Sequence, residues 1–189
     1  MSTQPRRNRY TAIAIAFHWL LALAIVGSFS FGLYMTDLAF SPLRLKLFNW
    51  HKWAGVTILA LSALRLLWRL SHRPPALPQQ VLNAMPPWQR HAHHATHVLL
   101  YLLFFAVPLS GWAYSSAAGF PIVWFGVLPL PDWVPVNKAL ADAVLKPLHH
   151  AFAYALATCV VLHVAATLKH QLVDHDGLFW RMWPRKTAP

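Results

Sequence analysis

LKPLHHAFAYALATCVVLHVAATLKH, residues 145–170, decides how this chain is read. Between Leu148 and Leu168 it carries no Asp, Glu, Lys or Arg. A helix needs about 20 mostly apolar residues to cross the hydrocarbon core of a bilayer, and this run supplies them. It also places histidines where lipid would surround them: His149 and His150 at one end, His163 deep toward the other. Ionisable groups inside spans are rare and usually functional. At about 100° per residue, the 14-residue step from His149 to His163 falls about 40° short of whole turns, so both point into one sector. His150 points about 140° away from His163 and is read as an interfacial residue. The two aligned histidines are separated by about 21 Å along the helix axis.

Three similar runs lie upstream. The expected spans are 11–36, 45–70 and 96–114, with the quoted run making the fourth, 148–170. The connection 71–90 contains Pro74, Pro75, Pro78, Pro86 and Pro87 and reads as irregular. The connection 115–147 is rich in Pro and Trp and reads as a loop in the membrane interface, where Trp is favoured. Pro121, Pro129, Pro131 and Pro135 exclude a fifth span there.

Composition agrees with this reading. The 189 residues are 57% hydrophobic and 11% charged, with 12 His, 10 Trp and no Glu. Soluble proteins carry about 25% charged residues, so a cytosolic enzyme, a disordered chain and a secreted disulfide scaffold are excluded. The net charge of +11 does not point to nucleic acid, because the cations sit in short clusters between apolar runs. A single cysteine, Cys159, excludes an internal disulfide and an iron–sulfur cluster held by the chain, and no CxxCH motif is present for covalent haem. The first apolar run is too long for a signal peptide and lacks a small-residue cleavage site.

Cation bias sets the expected orientation. Arg6, Arg7, Arg9, Arg65, Arg69, Arg73, Arg90, Lys169, Arg181, Arg185 and Lys186 fall on one side of a four-span arrangement; Arg44, Lys46, Lys52, Lys138 and Lys146 fall on the other. The positive-inside rule then puts both termini in the cytoplasm. The expectation is an all-α integral membrane protein: one domain, 1–189, folded as a four-helix transmembrane bundle.

In such a bundle the histidines match in depth. His18 and His163 both lie toward the cytoplasmic end, and His51 and His149 near the outer end. Two histidines facing each other across a bundle can fill both axial positions of a haem iron, which suits electron transfer rather than oxygen binding. Zinc fits less well, since a structural zinc site gathers four ligands. The competing reading is hydrogen bonding between helices, and it weakens when four histidines pair at two depths. Arg65 and Arg69, four residues apart, serve as interfacial anchors, as partners for haem propionates, or as both. His91, His93, His94 and His97 read mainly as interfacial, with His94 and His97 candidates to touch the inner haem or a quinone. His170 continues the His163 stripe and is the candidate quinone contact. The five outer cations would attract a small anionic reactant, or would simply solvate two loops. Gly27, Gly32, Gly55 and Gly111 allow close approach within spans, though glycine is common in membrane helices.

These segments resemble the prokaryotic cytochrome b561 family: AFHWLLALAI around His18, NWHKWAGVTILALSALRLLWRL at 49–70, HHATHVLLYLLFFAVPLSGW at 93–112, the 145–170 run, and RMWPRK near the C-terminus. The resemblance implies haem ligands at His18, His51, His149 and His163, hence two haem b groups, His18/His163 inner and His51/His149 outer. It also implies a bacterial inner-membrane superoxide:ubiquinone oxidoreductase, taking electrons from periplasmic superoxide and passing them to ubiquinone. The alternatives are a cytochrome b subunit linking a periplasmic dehydrogenase or hydrogenase to the quinone pool, and a colourless helical membrane protein without redox function.

Overall fold

The structure is a computed structural model that describes residues 9–184. Arg6, Arg7, Arg185 and Lys186, which enter the orientation argument, lie outside the described residues. Among the described residues, four helices are long and apolar enough to cross a membrane: α1 (Ala12–Asp37), α2 (Pro42–Ser71), α4 (Pro87–Ala117) and the helical run Lys138–Leu172, whose main part is α6 (Lys146–Leu172). A short helix α3 (Gln79–Ala84) interrupts the second connection. The chain alternates direction along a four-helix bundle, with α1 against α2, α2 against α4 and α4 against α6. The end bearing His51 and His149 is called the His51 end below; the opposite end is the His18 end.

Local chemistry sets the helix starts. Thr11 caps α1 by accepting from the Ala14 N–H, and Ser41 caps α2 by accepting from the Arg44 N–H. Pro42 and Pro87 open α2 and α4, where a missing N–H costs no helix bond. The third helix therefore begins well before residue 96, within the stretch read from sequence as irregular. The cause is Pro87 acting as a starter, since prolines counted as breakers can also begin a helix.

The expected interfacial loop 115–147 is also more structured. After α4, a two-stranded antiparallel hairpin pairs β1 (Val123–Trp124) with β2 (Leu128–Pro129). Gly126 at φ 73° and Phe125 at φ 51° form its turn. The hairpin is pinned to α2: Trp53 Nε1 donates to the Val123 carbonyl (2.6 Å), and Trp124 Nε1 donates to Thr57 Oγ1 (3.2 Å). Asn137 then caps α5 (Lys138–Leu140) by accepting from the Leu140 N–H. A π-helical turn, Ala141–Leu145, joins α5 to α6 just before Pro147. Proline cannot continue the regular ladder, and the wider turn lies where that ladder must break.

At the His18 end the chain after α6 folds back beneath the bundle. The buried Arg181 donates from Nη2 to the Pro75 and Ala76 carbonyls (3.0 and 2.8 Å), and Trp19 Nε1 donates to the Met182 carbonyl (2.8 Å). The bundle centre is an apolar cluster of Leu21, Ile25, Ile58, Leu100, Leu103, Phe104 and Leu156. Leu156 lies midway between His149 and His163 in sequence, so this cluster fills the space between the two histidine levels.

Candidate functional site

Helix α6 supplies one histidine to each of two facing pairs. At the His18 end, the rings of His18 (α1) and His163 (α6) have their centres 6.4 Å apart. At the His51 end, the rings of His51 (α2) and His149 (α6) lie 6.3 Å apart. A metal bonded to one nitrogen of each ring at about 2 Å, on the line between them, holds the ring centres about 6 Å apart. The two separations therefore leave room for one metal ion between each pair, which the two imidazoles would hold. His150 lies beside His149 with its ring centre 6.3 Å away, but is exposed.

The surroundings of each ring bear on the same fit. His149 Nδ1 lies 3.1 Å from the Val107 carbonyl, which only accepts, so this nitrogen carries the proton and Nε2 presents its lone pair. Fixing one nitrogen through a backbone carbonyl is the usual support for a metal-binding imidazole. Ser110 Oγ stands 3.2 Å from the same nitrogen, and Ser28 Oγ stands 3.4 Å from His51 Nδ1. Glycines back both rings: a Cβ at Gly111 would lie 3.0 Å from His149 Cε1, and one at Gly32 would lie 3.2 Å from His51 Cε1. Gly55, one turn from His51, faces open space in which a Cβ would meet no atom within 4 Å. A flat macrocycle needs such room next to its axial ligand, and the donor set at both levels fits haem.

At the His18 end, Arg65 Nη2 lies 3.0 Å from His18 Nδ1. Arginine has no acceptor, so Arg65 donates and His18 accepts on Nδ1. Arg65 and Arg69 also lie over the Tyr101 ring, at 5.8 and 5.4 Å from its centre. One turn before Arg65 on α2, the fully buried Ser62 hydroxyl has no hydrogen-bond partner among the described residues. Through His18 and Tyr101, Arg65 and Arg69 are gathered at the His18 end.

His97 reaches the inner pair, with its ring 5.4 Å from that of His163, and His93 lies 4.5 Å from His97. His91 and His94 are exposed. His170 is buried. Its Nδ1 lies 2.6 Å from Asp176 Oδ2 and 3.1 Å from Asp174 Oδ2, and its Nε2 lies 3.5 Å from Gln89 Nε2. The His170 ring is thus tied into the returning tail as well as continuing the α6 stripe. Asp174 is held below the usual carboxylate range, chiefly by its hydrogen bonds from Lys169. Sequence reasoning marked Gly32 and Gly111 as allowing close approach but did not name His51 and His149 as what approaches, and it missed Val107. Glycine in a span was the only available signal for the first two, and a backbone carbonyl leaves none.

A bundle of membrane-spanning helices with two facing histidine pairs is an arrangement suited to the class of transmembrane b-type cytochromes. The comparisons give the family. The sequence profile of prokaryotic cytochrome b561 matches residues 9–185, and the chain belongs to that family. It is 35% identical over 194 residues to cytochrome b561 homolog 2 of Escherichia coli (strain K12), covering 100% of this chain and 98% of that protein. It is 29% identical to a Yersinia pestis protein named "Probable superoxide oxidase CybB", over 95% of this chain and 98% of that protein. Cytochrome b561 homolog 1 of E. coli is 26% identical over 95% of this chain and 99% of its own length. Family membership makes this a haem b protein of transmembrane electron transfer, carried as a multi-pass protein in the inner membrane.

Proposed function

We propose that the chain, as a single domain, is a di-haem superoxide:ubiquinone oxidoreductase with both termini in the cytoplasm. The observation that carries this reading is the pair of facing imidazole sets built on one helix, at opposite ends of the bundle. His18 and His163 would hold the inner haem, and His51 and His149 the outer one. Held by these four imidazoles, haem b would supply one-electron chemistry suited to electron passage.

The remaining residues have separate tasks. A metal-bound imidazole keeps its other nitrogen protonated. His149 already meets that condition through Val107. At His18 the Arg65 guanidinium would have to leave Nδ1 for another acceptor, and a propionate carboxylate suits it, with Arg69 alongside. At the His51 end, Lys46, Lys138 and Lys146 are exposed. They raise the local concentration of superoxide, an anion. At the His18 end, His170 would face ubiquinone, with Asp176 fixing its ring. The chemistry balances as two superoxide ions each losing one electron, while one ubiquinone gains two electrons and two protons. The products are two oxygen molecules and ubiquinol.

A second reading has its own support. Phe120, Phe125, Val127 and Trp133 are exposed around the hairpin at the His51 end, an apolar surface on which a periplasmic dehydrogenase or hydrogenase could dock. In that reading the same haems carry the partner's electrons to the quinone pool.

The deciding experiment uses the purified chain. A dithionite-reduced minus oxidised spectrum, with haem quantified by pyridine haemochrome, should show two low-spin b haems per chain that ignore carbon monoxide. Superoxide should then reduce a soluble ubiquinone without any other protein. Two haems with quinone reduction only in the presence of a partner would favour the second reading. A colourless protein from haem-replete cells would overturn both.

A further inference from the structure

On the flank where α1 and α2 meet, toward the His51 end, lies a groove of about 430 Å³. Ala24, Trp50, Trp53, Ala54, Thr57 and Phe125 line it, and its walls are almost entirely apolar. The hairpin forms one rim through Phe125. The polar groups of Trp53 and Thr57 are engaged: Trp53 Nε1 donates to the Val123 carbonyl, Thr57 Oγ1 donates to the Trp53 carbonyl (2.8 Å), and Trp124 Nε1 donates to Thr57 Oγ1, which leaves the Trp50 indole N–H as the one side-chain donor of the lining. A quinone head, with two carbonyls to satisfy, finds poor partners there, whereas a hydrocarbon chain needs none. Lys46, Trp50, Trp53, Ala54 and Thr57 follow the spacing of one face of α2, so a single stripe leads from a cation into the groove. At its mouth the Lys46 ammonium lies 5.1 Å from the centre of the exposed Trp50 ring.

We propose that this groove holds one acyl chain of an anionic phospholipid, whose phosphate is met by Lys46. Lipid tails are as apolar as the groove, so the hydrophobic effect does not select the occupant inside a bilayer. Selection comes from the headgroup: a cation near the membrane surface favours an anionic lipid. Trp50 is exposed in the first third of α2, beside Lys46, and tryptophan is favoured at a membrane interface. The proposal depends on the membrane location of the bundle and not on which electron donor the protein uses.

The test is native mass spectrometry of the intact chain in detergent. The protein is titrated with phosphatidylglycerol and, separately, with phosphatidylethanolamine of matched chain length. One phosphatidylglycerol should be retained per chain in preference to phosphatidylethanolamine. Lys46→Gln should weaken its retention about fivefold, the scale of one surface cation. Ala54→Phe should fill the groove and abolish retention. Ala24→Phe does the same from the opposite wall and stands in where Ala54→Phe fails to fold. Lys138→Gln removes a cation that neither lines the groove nor guards its mouth, and should change nothing. Equal retention of both lipids would overturn the proposal, as would retention that survives Lys46→Gln and the filled groove. Displacement of the bound lipid by a short-chain ubiquinone would also overturn it, giving the groove to quinone.

Discussion

Gly111 and His149 show how finely single atoms set this molecule. A methyl group at Gly111 would stand 3.0 Å from His149 Cε1, closer than ordinary carbon contacts, with helix backbone behind it. Gly111→Ala should therefore displace the imidazole and cost the protein the haem proposed at the His51 end, while the one proposed at the His18 end stays. Gly32→Ala should act in the same direction through His51. Gly27→Ala is the control, since a Cβ there meets nothing within 4 Å. Haem per chain, counted by pyridine haemochrome, reads all three. Arg65 carries a different expectation. Its guanidinium lies beside His18, and a nearby cation favours the reduced form of a redox centre. Arg65→Gln should lower the midpoint potential of the haem proposed at the His18 end by tens of millivolts and leave the one proposed at the His51 end in place, as redox titration with visible spectra would show. Loss of all haem in that variant would instead make Arg65 a structural residue.

Among the elements, the hairpin and the returning tail are held by both ring contacts and hydrogen bonds: Trp19 meets Trp183 in the tail, and Trp53 meets Phe125 in the hairpin. Arg181 is buried and satisfies the Pro75 and Ala76 carbonyls, which would otherwise lack these donors. Arg181→Leu should destabilise the His18 end by about 1–3 kcal/mol, seen as a lower midpoint of thermal unfolding in detergent. Thr57→Val removes the acceptor for Trp124 Nε1 and should cost about 1 kcal/mol, with the groove reshaped but the haems kept. The four spans were legible from sequence because bilayer thickness dictates a long apolar run, and each run declared itself locally. The histidine pairs could be derived for a related reason: helix pitch turns a residue count into a direction and a depth. The hairpin was not legible. Its two-residue strands owe their place to Trp53 and Thr57, some 70 residues away in sequence. The early start of α4 was missed because proline signals both a break and a beginning. The tail's return was missed because it rests on Arg181 meeting backbone carbonyls, which have no sequence signature.

For the whole molecule, the proposed orientation and the proposed reaction make separate predictions. With both termini cytoplasmic, a C-terminal green fluorescent protein fusion should fluoresce and a C-terminal alkaline phosphatase fusion should be inactive; the reverse pattern would invert the bundle. If cations at the His51 end gather superoxide, the rate of superoxide-driven quinone reduction should fall steeply as ionic strength rises, since salt screens steering. A rate indifferent to salt would leave those lysines as solubilising groups. One further consequence comes from α6 alone. It carries one ring of each pair, whereas α1 and α2 carry only one ring apiece. The spacing between the two levels is therefore written into 14 residues of continuous helix rather than negotiated between packed neighbours. Such a helix behaves as a ruler. A thinner bilayer can tilt it, and loosening of α1 or α2 can empty one level. Neither shortens the ruler, so the distance between the two histidine levels stays the same in membranes of different thickness.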